Sequence, residues 1–161
     1  MYKPIAAFIA ALTIALPAVA RVEPSTPQLL QTIEEYGVSI SYNPSTCGNG
    51  FLGMYNTKKE MILCYSGTPT AADHDTVRHE SFHMIQHCAS QRRGERGIKP
   101  LAANSQERHN WVLKVLGPQR INGVKDAYKT EAHQVELEAF AAAHHYSSTD
   151  LITLIKAYCI K

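Results

Sequence analysis

The chain has 161 residues, enough for one domain with its own hydrophobic core and too few for two ordinary ones. Lys and Arg total 16 against 14 Asp and Glu. That near balance gives no electrostatic basis for a nucleic-acid or anionic-membrane partner.

The first twenty residues carry the three parts of a secretory signal: Lys3 as a short basic start, an apolar run from Ile5 to Leu16, and Ala18 and Ala20 in the A-x-A pattern before Arg21. The run is shorter than the roughly 20 apolar residues a bilayer span needs, and Pro17 interrupts it, which argues against a membrane anchor. Cleavage after Ala20 is expected, with a single domain over 21–161, a secreted or periplasmic location and no membrane association afterwards. Export makes disulfides the default for Cys47, Cys64, Cys88 and Cys159, an even set with no C-x-x-C pair to suggest a cysteine metal site. Three pairings are possible, and the local elements below favour Cys47 with Cys64 and Cys88 with Cys159.

From Ser25 to Tyr36, a capping Ser or Thr, Pro27 in the first turn, apolar Leu29, Leu30 and Ile33, and Gly37 beyond the end predict a short helix. Val38 to Tyr42 alternates apolar and polar residues and is stopped by Asn43-Pro44-Ser45, as a strand is. Two apolar pieces, 51–55 and 61–65, separated by Asn56-Thr57-Lys58-Lys59-Glu60, predict a β-hairpin that a Cys47–Cys64 bridge would staple. Thr70 or Asp73 then caps a helix running to about Ala89, and the basic stretch 91–97 with Gly94 and Gly97 is a solvated loop. A further helix is expected over 101–116, ended by Gly117-Pro118. The alanine- and glutamate-rich run from about Val124 to His144 has no internal glycine or proline and is expected to be the longest helix. Caps at Ser147 to Asp150 open a closing helix that ends at Cys159.

The chemistry is concentrated in His79-Glu80-Ser81-Phe82-His83, which falls mid-helix. Two histidines four apart differ by about 40° around the helix axis, so their imidazoles can converge on one tetrahedral ion. Zinc in such a site acidifies a water and polarises a carbonyl, with Glu80 placed as general base. There is no G-x-S-x-G or other arrangement for a serine or cysteine nucleophile. Glu131, Glu136 and Glu138 all compete for a third ligand position. Glu131 and Glu138 share a helix face with Val135 and Ala142, whereas Glu136 lies with Ala132, Ala139 and Phe140, and periodicity does not choose between them. His87, a turn beyond His83, drifts around the helix and is read as a second-layer or surface residue rather than a ligand. Tyr128, His144, His145 and Tyr146 are candidates for stabilising an oxyanion, with no basis for choosing one.

The HESFH segment followed by Glu138-Ala139-Phe140 resembles the glutamate zincins, H-E-x-x-H metallopeptidases in which a later helix supplies a glutamate ligand that is typically followed by alanine. The resemblance covers those two segments and implies zinc held by His79, His83 and Glu138, with Glu80 as general base. The gap from His83 to Glu138 is longer than in thermolysin-like members, so the helix at 101–116 is expected as an insertion. The metzincin pattern does not apply, because Gln86 and Ala89 stand where it needs glycine and histidine. The expected fold is α+β, mainly helical, with a small antiparallel sheet packed on the metal-binding helix and a cleft where an extended peptide could add to the sheet edge. The expected function is a secreted zinc-dependent metallopeptidase acting on peptide or protein substrates. The alternative is a non-catalytic, disulfide-stabilised binding domain, with or without a structural zinc.

Overall fold

The computed structural model describes residues 25–49, 52–65 and 67–160. The expected signal segment, and Phe51 at the start of the expected hairpin, lie outside them. Helix α1 (Thr26–Glu35) opens the described chain and closes at Gly37, whose φ of 80° lets Val38 N–H return to the Ile33 carbonyl at 3.3 Å. Strand β1 (Ser39–Tyr42) follows, then a 3-10 turn over Ser45–Asn49, and then the hairpin of β2 (Gly53–Tyr55) and β3 (Glu60–Leu63).

The sheet order is β1-β3-β2, with β3 in the middle. β2 pairs antiparallel to β3, as a hairpin must, but β1 pairs parallel to β3 with Ile40 opposite Met61. The sheet is therefore mixed, where an antiparallel one was expected. Alternating polarity identifies a strand and its buried face but carries no information about direction. Here the segment after β1 crosses to the far edge before the hairpin starts. The Cys47–Cys64 disulfide fastens that crossing segment to the residue just past β3.

Helix α2 (Ala71–Arg92) begins in a full capping box, Thr70 with Asp73. At 22 residues it is about 33 Å long and forms the axis of the molecule. The sheet, α1, α5 and α4 pack around it, so that every residue from His79 to Ala89 is buried. Leu29, Ile33, Met61, Leu63, Phe82, Ile85, Leu151 and Ile155 form the main core around this axis.

Helix α3 (Ser105–Ala127) starts at Asn104, whose side chain accepts from the Gln106 and Glu107 amides. The first helical stretch stops at Gly117 (φ 72°, ψ 166°), as the Gly-Pro pair predicts, and helix resumes at once from Pro118. The single long helix expected from 124 to 144 does not form. Tyr128 is extended, a 3-10 turn spans Thr130–Ala132, and α4 (His133–His145) begins only then. His133 Nε2 sits 3.0 Å from the Lys125 carbonyl and 2.8 Å from that of Tyr128, gathering the break. Propensity favoured continuation; packing α4 back against both α2 and α3 required a reversal, and packing prevails. Helix α5 (Ser148–Tyr158) has its own capping box, Ser147 with Asp150, and Cys159 beyond its end bridges to Cys88 on α2. Both disulfides thus have the favoured pairing. No helix among the described residues is long and apolar enough to cross a membrane.

Candidate metal centre

His79 and His83 lie on the face of α2 that meets α4, and their Nε2 atoms approach to 3.0 Å. Glu136, in the first turn of α4, completes a triangle, with Oε2 3.2 Å from His79 Nε2 and 3.4 Å from His83 Nε2. This group could hold a metal ion. Ligand bonds of about 2.0–2.1 Å in a tetrahedral site set neighbouring donor atoms roughly 3.3–3.4 Å apart, close to the spacing seen. The buried Glu136 Oε2 has no hydrogen-bond partner among the described residues, as befits an atom aimed at an ion. Burial raises the Glu136 carboxyl, but the facing His79 and His83 outweigh it and hold the group down at about 2. The third member of this group is therefore Glu136, and not the Glu138 implied by the resemblance.

Glu138 is engaged by other partners. Its carboxylate is 2% exposed and accepts from the Leu101 amide at 2.6 Å, the Ala102 amide at 2.9 Å and Gln86 Nε2 at 2.8 Å. Glu131 sits exposed in the 3-10 turn and reaches no histidine of the group. His87 stands outside this group: its Nδ1 lies 2.9 Å from the Tyr55 hydroxyl, and burial, with Lys59 nearby, lowers its pKa, so the neutral ring can accept from the phenol.

Glu80 lies beside the triangle, 5% exposed. Burial pushes its pKa up, countered in part by His79 and His83 and by a hydrogen bond from the Tyr55 backbone. The Tyr55 hydroxyl ties β2 to α2 through His87. The approach is so close that a Cβ on Gly53 would lie 2.6 Å from Thr76 Cγ2 and 3.1 Å from Glu80 Cγ. β2 is an edge strand, and it borders a cleft of about 280 Å³ walled by Gly53, Tyr55, Glu80, Ile98, Tyr128 and Glu136. Of the four oxyanion candidates, Tyr128 borders this cleft, its phenol pushed up to about 12 by burial and then by Glu136 and Glu80. Tyr146 instead packs with Phe82 and Trp111, His145 sits against Trp111, and His144 borders a neighbouring apolar cavity.

No family model, curated protein or solved structure matches the chain. The likeness to the glutamate zincins thus remains one of two short motifs, and the Glu138 half of it does not coincide with the buried triangle.

Sequence reasoning passed over Gln86 and Gly53. Gln86 is fully buried, three residues after His83 and so on the same helix face, and its Oε1 lies 2.8 Å from His83 Nδ1. A polar residue one turn beyond a ligand histidine was the available signal. Gly53 gave none, because its role depends on a contact with a helix more than twenty residues later in the chain.

Proposed function

We propose that the protein is an exported zinc-dependent peptidase that uses Glu80 as general base and His79, His83 and Glu136 as metal ligands. The observation that carries this reading is the triangle of buried donor atoms with a second, desolvated carboxylate beside it at the floor of an open cleft. A site that only stabilised the fold would have no use for that extra carboxylate. When bound, zinc supplies Lewis acidity, bringing a water's pKa toward 7 and polarising the substrate carbonyl.

Glu80 would take a proton from the attacking water and pass it to the departing amine. Its raised pKa suits both halves of the transfer, because the carboxylate must hold the proton before giving it up. β2 is an outer strand of the sheet among the described residues, and an extended substrate can add alongside Gly53–Tyr55 and bring its carbonyl over the triangle. Tyr128, neutral up to about pH 12, supplies a hydrogen-bond donor for the developing oxyanion. The two disulfides suit an oxidising compartment, in line with secretion or periplasmic export.

The test combines metal analysis with hydrolysis of a mixed fluorogenic peptide library. Wild-type protein should carry one zinc and cleave peptides, Glu80→Gln should keep the zinc and lose at least about 10²-fold in rate, and Glu136→Ala should lose the zinc. A wild-type protein that binds zinc tightly, cleaves nothing and behaves identically when Glu80 is changed would instead be a zinc-stabilised binding domain.

A further inference from the structure

Gln86 has no freedom in how its amide is oriented. Its Nε2 donates to the Val135 carbonyl at 3.1 Å and to Glu138 Oε2 at 2.8 Å, both of which only accept, so both amide hydrogens are used. Oε1 must then be the atom facing His83, and since an amide oxygen cannot donate, His83 Nδ1 must carry the proton. The tautomer follows, with Nε2 of His83 left as the lone-pair nitrogen pointing at His79 and Glu136. Glu138 is the anchor of this arrangement. Its Oε2 also accepts from the Leu101 amide and its Oε1 from the Ala102 amide, which fixes the chain just beyond Ile98, a wall of the cleft. His79 has no equivalent support: its Nδ1 is buried without a hydrogen-bond partner among the described residues, and its ring is held by edge contact with His83 and by Phe140, at centroid distances of 4.6 and 4.3 Å.

We infer that Gln86 and Glu138 are positioning residues, a relay that locks His83 in its ligating tautomer and couples metal binding to the backbone at Leu101 and Ala102. The inference rests on the metal-site part of the proposed function but not on peptidase activity. Reciprocity follows from linkage: if loosening the 101–102 backbone weakens the metal, the metal must tighten that backbone by the same factor.

The experiment uses the full exported chain and zinc as the probe. Long-range ¹H–¹⁵N correlation of the histidine rings, on metal-free protein at a pH where the imidazoles are neutral and again with zinc, should show His83 protonated at Nδ1 in both states. Gln86→Met should lower zinc affinity by about 10- to 100-fold in a chelator competition, and metal-free His83 should lose its single tautomer. Glu138→Gln, a near-isosteric change, should weaken zinc less and speed amide hydrogen exchange at Leu101 and Ala102; in the wild type, zinc should slow exchange there. A His83 protonated at Nε2 in the wild type overturns the relay. So does a folded Gln86→Met protein with unchanged zinc affinity, and so does exchange at 101–102 that ignores both zinc and Glu138→Gln. None of these readouts involves hydrolysis, so a protein that binds zinc and cleaves nothing defeats the peptidase reading and leaves the relay standing.

Discussion

Replacing Gly53 with alanine asks whether β2 has to lie directly on α2. The added methyl would sit 2.6 Å from Thr76 Cγ2, 3.1 Å from Glu80 Cγ and 3.3 Å from the Ile62 carbonyl oxygen. Non-bonded carbons settle at about 3.5–4.0 Å, so strand and helix must separate by roughly 1 Å or Thr76 must turn away. Turning is hindered, because Thr76 Oγ1 donates to the Ala72 carbonyl at 2.9 Å. Gly53 is not among the positive-φ glycines, so the penalty is steric and not conformational. Overpacking of this kind costs about 1–3 kcal/mol, which for a domain of this size lowers Tm by roughly 4 °C per kcal/mol. Thr76→Ser removes Cγ2 alone and keeps the hydroxyl, so in the Gly53→Ala background it should restore at least half of the loss, a coupling readable by a double-mutant cycle. Thermal unfolding followed by circular dichroism measures all four proteins without reference to any activity. The reasoning fails if Gly53→Ala melts with the wild type, or if Thr76→Ser adds a second loss in place of a rescue. Where hydrolysis is measurable, the same displacement of Tyr55 and Glu80 should reduce it by about 10²-fold.

Tyr55 and Tyr128 are each pushed up to about 12, first by burial, from an ordinary value of 10. A raised folded-state pKa gives stability that is complete below the unfolded value and drains as pH climbs to the folded one, so the urea midpoint should fall between about pH 10 and 12, mainly through the buried Tyr55, because solvent screens the 37% exposed Tyr128; a flat profile there contradicts the burial of the Tyr55 phenol. The two disulfides span 17 and 71 residues, for which loop-closure entropy gives roughly 3 and roughly 4.4 kcal/mol. Replacing Cys88 and Cys159 together by alanine should therefore destabilise more than replacing Cys47 and Cys64, and the opposite order in urea melts would reject the entropic account. Tyr128→Phe should reduce the hydrolytic rate by about 10-fold or more while leaving zinc content unchanged; an unaltered rate removes Tyr128 from the oxyanion role.

Local signals placed most of the elements well. The capped starts of α2 and α5, the Gly37 stop of α1, the hairpin and both disulfide pairings are matters of short-range sequence, and each is where the residues put it. The parallel pairing of β1 and the break between α3 and α4 were not legible, because both depend on where the chain has to return rather than on what it prefers locally. His79 and His83 were legible as a pair for the opposite reason: four-residue spacing on one helix is local geometry.

The third ligand position shows where local geometry stops. Glu136 and Glu138 are two residues apart and project about 200° apart around α4, yet both reach buried partners, because α4 is enclosed by α2 on one side and by α3 and the 101–102 segment on others. Ala139, Ala141, Ala142 and Ala143 are all buried, so the helix has no clear apolar stripe to say which glutamate points toward the histidines. Small side chains let α4 approach closely from several directions at once, and this closeness is what gives the two carboxylates different work. One meets the imidazole nitrogens of His79 and His83; the other accepts from three N–H donors. A carboxylate already bound to three N–H donors is poorly placed to take an ion as well, whereas Glu136 Oε2 has no hydrogen-bond partner among the described residues. Donor count, more than helix phase or position in a motif, therefore distinguishes Glu136 as the proposed ligand and Glu138 as its support.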